Sequence, residues 1–287
     1  MLRNLKEFHY PATVAEALAI LQRFDSRASV IAGGTSLGRT DDAKIEAMVD
    51  ISRMGLAFLK EDKVSLRIGS TNPLQALARS RKLGVFAGGL LARAAASQPS
   101  RLLRNAMTLG GSIVLSTPWA EMPPALLTLD AKMIIAGEIE KIIPAEEFIG
   151  DSKYRVLGRS EILTEVRVPR EMASWRSGYS VFARTRTDPA MVIASVALLE
   201  DRGTCAGARI VLGGITRRAI RCPAAEKKLV GKKLAPQHFA QAARAAVGGI
   251  EVVVDWRASR EYRLQVAEVV MRRTLAACWS DGKEGAR

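Results

Sequence analysis

The sequence is poor in the residues that build most metal, disulfide and nucleophilic sites. It has three cysteines, Cys205, Cys222 and Cys278, widely spaced and odd in number. That excludes a disulfide framework and a self-contained zinc or iron–sulfur site, and it points to a reducing, cytoplasmic setting. Two histidines, His9 and His238, are too few for a histidine-based metal centre, and no Ser/His/Asp set is apparent around either. Aromatic residues make up only 5% of the chain. No apolar run approaches the ~20 residues of a membrane span. The opening "MLRNLKEFHYPATVAEAL" lacks the apolar segment and small-residue cleavage site of a signal peptide. Absence of a signal does not fix location, because a folded complex can be exported on a partner's signal.

What is present is an ordinary globular composition, 48% hydrophobic and 25% charged over 287 residues, enough for one large or two to three smaller domains. The formal net charge is +14, and residues 201–287 carry 17 Lys and Arg against 8 Asp and Glu. The basic residues are dispersed and lack interleaved aromatics. They read as a solvated or subunit-facing surface rather than a nucleic-acid face.

Thr13-Val14-Ala15-Glu16 fits a capping box, followed by an amphipathic helix ending near Phe24. "ASVIAGG", "AMVDIS" and "VSLRIGS" read as strands. "PLQALARS" and "GLLARAAAS" read as helices, as does "PPALLTLD", which opens at proline. "AKMIIAG" and "EILTEVRVP" are further strands. After a composition shift at Ala173–Gly178, "MVIASVALLED" and "CAGARIVLGGI" form paired strands joined by "DRGT". "AEKKLVG", "PQHFAQAARAAVGG" and "REYRLQVAEVVMRRTLAACW" follow as helices, the last with an apolar face of Tyr262, Val266, Val269, Val270 and Leu275. Strands followed by helices make the second half an α+β layer.

Chemistry concentrates in two glycine pairs. "VIAGGTSLGRT" runs from a buried strand through Gly33-Gly34 to the hydroxyls of Thr35 and Ser36. Glycine admits positive φ and close approach of a ligand, and successive N–H groups turned one way cradle an anion. The stretch is neither a Walker loop nor the G-x-G-x-x-G fingerprint. Alone it is more often a structural turn. "TLGGSIVLS" repeats the grammar: Thr108, Gly110-Gly111, Ser112 and Ser116. Two such loops could hold the phosphates of a dinucleotide with backbone and hydroxyl hydrogen bonds and no lysine. Glu121, five residues on, either accepts hydrogen bonds from sugar hydroxyls or is a surface residue before the Pro-Pro helix start.

Four co-linear segments, "AGGTSL" (32–37), "RNAMTLGGSIV" (104–114), "STPWAEMPPALLTLDA" (116–131) and "ILTEVRVP" (162–169), resemble the FAD-binding subunit of the molybdenum hydroxylases. That group includes the medium subunit of aerobic carbon monoxide dehydrogenase and the flavin subunit of xanthine dehydrogenase. "DWRASREYRLQVAEVVMRRTL" (255–275) resembles the family's closing helix, so the likeness covers nearly the whole chain.

The resemblance implies an α+β fold. A two-part FAD-binding domain of the vanillyl-alcohol-oxidase type would span residues 1–172, with subdomains of about 1–56 and 57–172. A smaller α+β domain of antiparallel sheet and helices would follow over 173–287. Ala32, Gly33, Gly34, Thr35, Ser36 and Leu37 would form one pyrophosphate loop, and Thr108, Gly110, Gly111 and Ser112 the other, with Ser116 nearby. Glu121 matches a flavin-binding aspartate and Leu163 an apolar residue packed on the isoalloxazine ring. Arg184, with Arg186, matches a basic stretch near the flavin, though exposed strand-end arginines read the same way.

Ser112 stands where the family most often has asparagine, Glu121 is one methylene longer than the usual aspartate, and Met107 replaces a small residue. The chain lacks the clustered cysteines of the relatives that reduce aromatic acyl-CoA. By resemblance the chain carries electrons and needs no catalytic acid, base or nucleophile. It would take electrons from [2Fe–2S] clusters in a small subunit, with a molybdenum–pterin cofactor in a large one, in a heterotrimer or its dimer. It would pass them to NAD, a quinone or oxygen. A self-standing FAD oxidase or reductase of the same fold, and a non-enzymatic basic binding module, are the alternatives.

Overall fold

The computed structural model describes residues 3–36, 43–115, 117–150 and 157–284. The described strands form three sheets in chain order. The first is small and parallel: β1 (Glu7–His9) and β2 (Ala28–Ile31) flank β3 (Ala47–Asp50). Helix α1 (Val14–Phe24) crosses between β1 and β2 and buries Ala17 and Leu21 against Val49 and Ile51. Its start is the capping box, with one difference. Thr13 Oγ1 accepts from the Glu16 N–H at 3.2 Å, but Glu16 reaches past the cap to the Ala12 N–H at 2.8 Å.

The second sheet is antiparallel with five strands. Its chain order is β4 (Leu59–Glu61), β5 (Ser65–Gly69), then, after helices α2 (Leu74–Arg79), α3 (Arg81–Val85), α4 (Leu90–Ser97), α5 (Arg101–Ala106), α6 (Leu109–Leu115) and α7 (Met122–Thr128), strands β6 (Lys132–Ala136) and β7 (Lys141–Pro144), short helix α8 (Ala145–Ile149) and strand β8 (Ile162–Pro169). β8 lies centrally between β5 and β6. Leu66, Ile68, Met133, Ile135, Val166 and Val168 form with these helices the largest core. Proline starts α7 as expected, since its missing N–H is an orphan at that position anyway.

The third sheet, β9 (Arg176–Phe182), β10 (Val192–Asp201), β11 (Thr204–Gly213) and β12 (Ile220–Arg221), is antiparallel. The β10–β11 hairpin turns on Arg202 and Gly203, both at positive φ (49° and 80°). Val192, Ala194, Val196 and Leu198 face α10 (Pro236–Val247) and α11 (Arg260–Glu284). Ser195 and Ala197 face the other way, toward α7. Burial on both faces explains why β10 is apolar almost throughout rather than alternating. On this second face the Thr128 hydroxyl donates to Ser195 Oγ at 2.7 Å, and Arg209 Nε donates to Asp130 Oδ2 at 2.6 Å.

Three local expectations are corrected. The segment "AEKKLVG" is helical only within α9 (Pro223–Glu226), beyond which the chain proceeds in turns. The second glycine pair is not a loop but the first turn of α6. The buried stripe of α11 is Arg263, Ala267, Met271, Thr274, Leu275 and Cys278; of the expected face Leu275 is in it, Val266 and Val270 pack partly against the core, and Tyr262 is 46% exposed. The periodicity is as expected but rotated, because Asp255 neutralises Arg263 and lets it enter the core.

Candidate functional site

β2 delivers the chain to Gly33-Gly34 beside the α5–α6 junction. A Cβ on Gly33 would lie 1.9 Å from the Ala106 carbonyl oxygen, so the two backbones are in contact and only glycine fits. Gly34 holds φ +65°. Among the described residues, the N–H groups of Gly33, Gly34 and Thr35 and the Thr35 hydroxyl make no hydrogen bond, which leaves a row of donors.

The second pair differs. The Leu109 N–H donates to the Asn72 carbonyl (2.9 Å) and Gly110 to the Ser70 carbonyl (2.7 Å). Gly111 donates to Thr108 Oγ1 (3.2 Å) and Ser112 to the Thr108 carbonyl (3.0 Å). The expectation of two equivalent cradles is therefore corrected. This turn is anchored inward and contributes bare surface, Gly110 because a Cβ would sit 2.9 Å from Ser70 Cβ. Ser112 Oγ likewise points back, to the Leu109 carbonyl at 2.7 Å.

Between the turns lies a cleft of about 390 Å³ lined by Ala32, Gly33, Gly34, Thr35, Ser36, Thr108, Gly110, Gly111, Ser112 and Leu163. Apolar side chains, among them Val30, Ile51, Met107, Val114 and Ile162, complete its wall. Ser70, at the end of β5, also faces it. Its hydroxyl is buried and has no hydrogen-bond partner among the described residues, an unusual state for a buried donor. Sequence reasoning missed Ser70; its signal was a hydroxyl closing the strand "SLRIGS". Leu37 and Ser116 lie outside the described residues.

Glu121 and Arg184 are elsewhere, in a second cleft of about 650 Å³ with Arg93, Ser97, Trp119, Tyr179, Arg186 and Pro189. Leu163 lines the glycine cleft and not this one. Burial pushes the Glu121 carboxyl above the usual range, and no cation pairs with it among the described residues. The Tyr179 hydroxyl donates to the Glu121 carbonyl at 2.8 Å; burial, then the Glu121 charge, raises its pKa well above the ordinary value. Arg93 Nη2 donates to the Ser177 carbonyl and Oγ at 2.7 and 2.8 Å. Arg184 pairs with Asp188 at 3.1 Å and lies 4.8 Å from the Trp256 ring centroid.

Among the described residues no group of His, Cys, Asp and Glu could hold a metal ion. None of the cysteines is in a disulfide, and burial pushes the Cys222 thiol up to about 12. No described helix is long and apolar enough to cross a membrane.

Free backbone donors, contact-tight glycines and an orphaned serine hydroxyl suit a diphosphate, and the apolar wall beside them suits a nucleotide base. Residues 3–171 match the family described as the FAD binding domain in molybdopterin dehydrogenase. Residues 177–278 match the CO dehydrogenase flavoprotein C-terminal domain. The molecule is thus an FAD-binding oxidoreductase subunit.

The chain is 32% identical to the 6-hydroxypseudooxynicotine dehydrogenase complex subunit alpha of Paenarthrobacter nicotinovorans, covering 92% of this chain and 91% of that one. It is 28% identical to the carbon monoxide dehydrogenase medium chain of Hydrogenophaga pseudoflava, covering 96% and 97%. The solved carbon monoxide dehydrogenase from Hydrogenophaga pseudoflava superposes with a TM-score of 0.90 at 29% identity, over 98% of this chain and 99% of that one. Quinoline 2-oxidoreductase from Pseudomonas putida 86 gives 0.88 at 27%, over 97% and 98%. The chain belongs to the family of FAD-binding medium subunits of the molybdenum hydroxylases, with FAD as its cofactor.

Proposed function

We propose that this chain is the flavin-carrying electron-transfer subunit of a multi-subunit molybdenum hydroxylase. It takes electrons from [2Fe–2S] clusters of a small subunit, while a large subunit holds the molybdenum cofactor, and it delivers them to an external acceptor such as NAD, a quinone or oxygen. Relatives that are named medium chain or complex subunit support the assembly, a heterotrimer or its dimer. The sparse, odd-numbered cysteines favour a cytoplasmic location over export of the complex on a partner's signal.

The glycine cleft holds the adenosine diphosphate half. Gly33, Gly34 and Thr35 would donate backbone N–H groups to the diphosphate and Ser70 its hydroxyl, while Leu163, which the resemblance puts against the isoalloxazine ring, lines this cleft instead. The second cleft receives the ring half, where Glu121 accepts hydrogen bonds from ribityl hydroxyls and Arg184 and Arg186 edge the ring. Bound FAD supplies reversible one- and two-electron chemistry. The chain's part is to position it.

The observation that carries this reading is the contact of Gly33 with the Ala106 backbone, which puts a row of N–H donors into the same cleft as the buried Ser70 hydroxyl. The test is to purify the full chain and titrate it with FAD, then to co-express it with iron–sulfur and molybdenum subunits and follow flavin bleaching on substrate addition. One FAD per chain and bleaching only in the complex is the expected result. A folded, colourless chain that takes up no FAD overturns it.

A further inference from the structure

The segment "VVDWRASREYR" (253–263) belongs to neither cleft, yet it touches the second one twice. Asp255 and Ala258 close a bridge ahead of α11. The Asp255 carboxylate accepts from Arg257 at its backbone N–H (2.9 Å), Nε (3.0 Å) and Nη2 (2.7 Å), and from Arg263 Nη2 (2.6 Å). Arg263 is 1% exposed, so this carboxylate is tied to a cation fixed in the core. With one edge so held, Arg257 is aimed. Its Nη1 donates to the Pro189 carbonyl at 3.2 Å, and its guanidinium carbon lies 5.8 Å from the Trp119 ring centroid. Pro189 and Trp119 both line the second cleft, from segments 70 positions apart.

Trp256 acts one residue earlier. It is 82% exposed, so little of its apolar surface contributes to folding. What it holds is Arg184, at the start of the connection that ends at Pro189. Otherwise that connection is held mainly by its own contacts, the Arg184–Asp188 pair and a long Asp188 N–H bond to the Thr185 carbonyl (3.4 Å).

We propose that Trp256 and Arg257, locked by Asp255 and Arg263, are positioning residues for the flavin ring: a strap that fixes the Arg184–Pro189 connection against Trp119 and sets how closely the second cleft shuts on the isoalloxazine. The strap rests on the reading above that this cleft takes the ring half of FAD.

The test compares the full-length, FAD-loaded chain with Trp256→Ala, Arg257→Met and Arg257→Lys. The readouts are FAD-to-protein ratio, the flavin's visible absorption band, and quenching of flavin fluorescence by iodide. The FAD ratio stays near that of the unmodified chain, because the glycine cleft is untouched. Iodide quenching rises about threefold in Trp256→Ala, the factor carried by one exposed cation–π contact. It rises about tenfold in Arg257→Met, as for loss of a charge-assisted hydrogen bond, with a shifted band. Arg257→Lys, which keeps the charge, falls between. Folded variants with unchanged quenching and band overturn the strap. Should Arg257→Met fail to fold, Trp256→Ala decides alone, since its side chain is exposed. An unmodified chain that binds no FAD fails the functional reading itself, a different outcome from a loaded chain whose ring ignores the strap.

Discussion

The glycine cleft and the arginine-edged cleft are built by opposite means. In the first, the donors facing the cleft are backbone N–H groups and hydroxyls, and tightness comes from side chains that are missing: Gly33 touches the Ala106 backbone, and Gly110 touches Ser70. In the second, Arg93, Trp119, Glu121, Tyr179 and Arg184 converge from three distant segments. A site made of backbone tolerates changes of salt and pH but not an added methyl group. A site made of ionisable side chains tolerates volume changes better and answers to charge.

The largest effect should come from Gly33→Ala. Its methyl group collides with the Ala106 carbonyl, so the two turns must part. FAD retention is lost, and stability falls by about 3 kcal/mol, the upper end for overpacking, measured by flavin absorbance and urea unfolding. Equal flavin content in this variant would break the contrast. Gly111→Ala is the milder control, since its Cβ meets only Thr108 Oγ1 at 3.0 Å.

Asp255→Asn comes next. It leaves the guanidinium of Arg263 buried without its carboxylate, and the cost is about 2 kcal/mol, below that of a fully buried pair because Asp255 is a quarter exposed. Urea unfolding of the flavin-free chain measures it. The glycine cleft of the folded fraction should still load FAD.

Ser70→Ala should weaken FAD about fivefold, the worth of one neutral hydrogen bond of about 1 kcal/mol, in a binding titration. The flavin-free chain should melt no lower, because the hydroxyl it loses has no partner there.

The smallest effect is pH-dependent. Glu121 has its folded pKa raised above 4.5 by burial, so the flavin-free fold holds that proton more tightly than the unfolded chain does. The resulting penalty is absent below 4.5 and is complete once pH has risen through the folded value. Glu121→Gln should therefore raise the melting temperature of the flavin-free chain at neutral pH. The gain should shrink as pH falls through the folded value and vanish below 4.5. The glycine cleft, with Ser70→Ala as comparison, should show no such dependence.

Much of this was legible because local chemistry and global fold agree. The Thr13 cap, the Pro123-Pro124 helix start and the strand alternation of "VSLRIGS" each carry a short-range cause. The glycine pairs were legible as glycine pairs, but not that one frees its donors while the other spends them, which depends on what Asn72 and Ser70 accept from across the fold. Ser70 was invisible because a serine after a strand is commonplace until its hydroxyl is found buried and alone. The face of α11 was read only in part, Leu275, Val266 and Val270 but not Arg263, because arginine counts as polar in any periodicity and only its partner Asp255 makes it a core residue. The separation of Leu163 from Glu121 and Arg184 was beyond spacing altogether, since the second cleft draws residues from positions 93 to 190.

Helix α7 lies against both the five-stranded and the four-stranded sheet. Met122, Ala125 and Leu126 share one core with Ala197, Val211 and Ala219, and a Cβ on Gly213 would meet Pro124 at 2.8 Å. The two family profiles meet between residues 171 and 177, yet the material there does not part along that seam. A protein truncated after residue 172 would carry an oily flank into solution, and the excised remainder would carry its mate. Each half alone should clump rather than fold, while the two halves produced together should recombine.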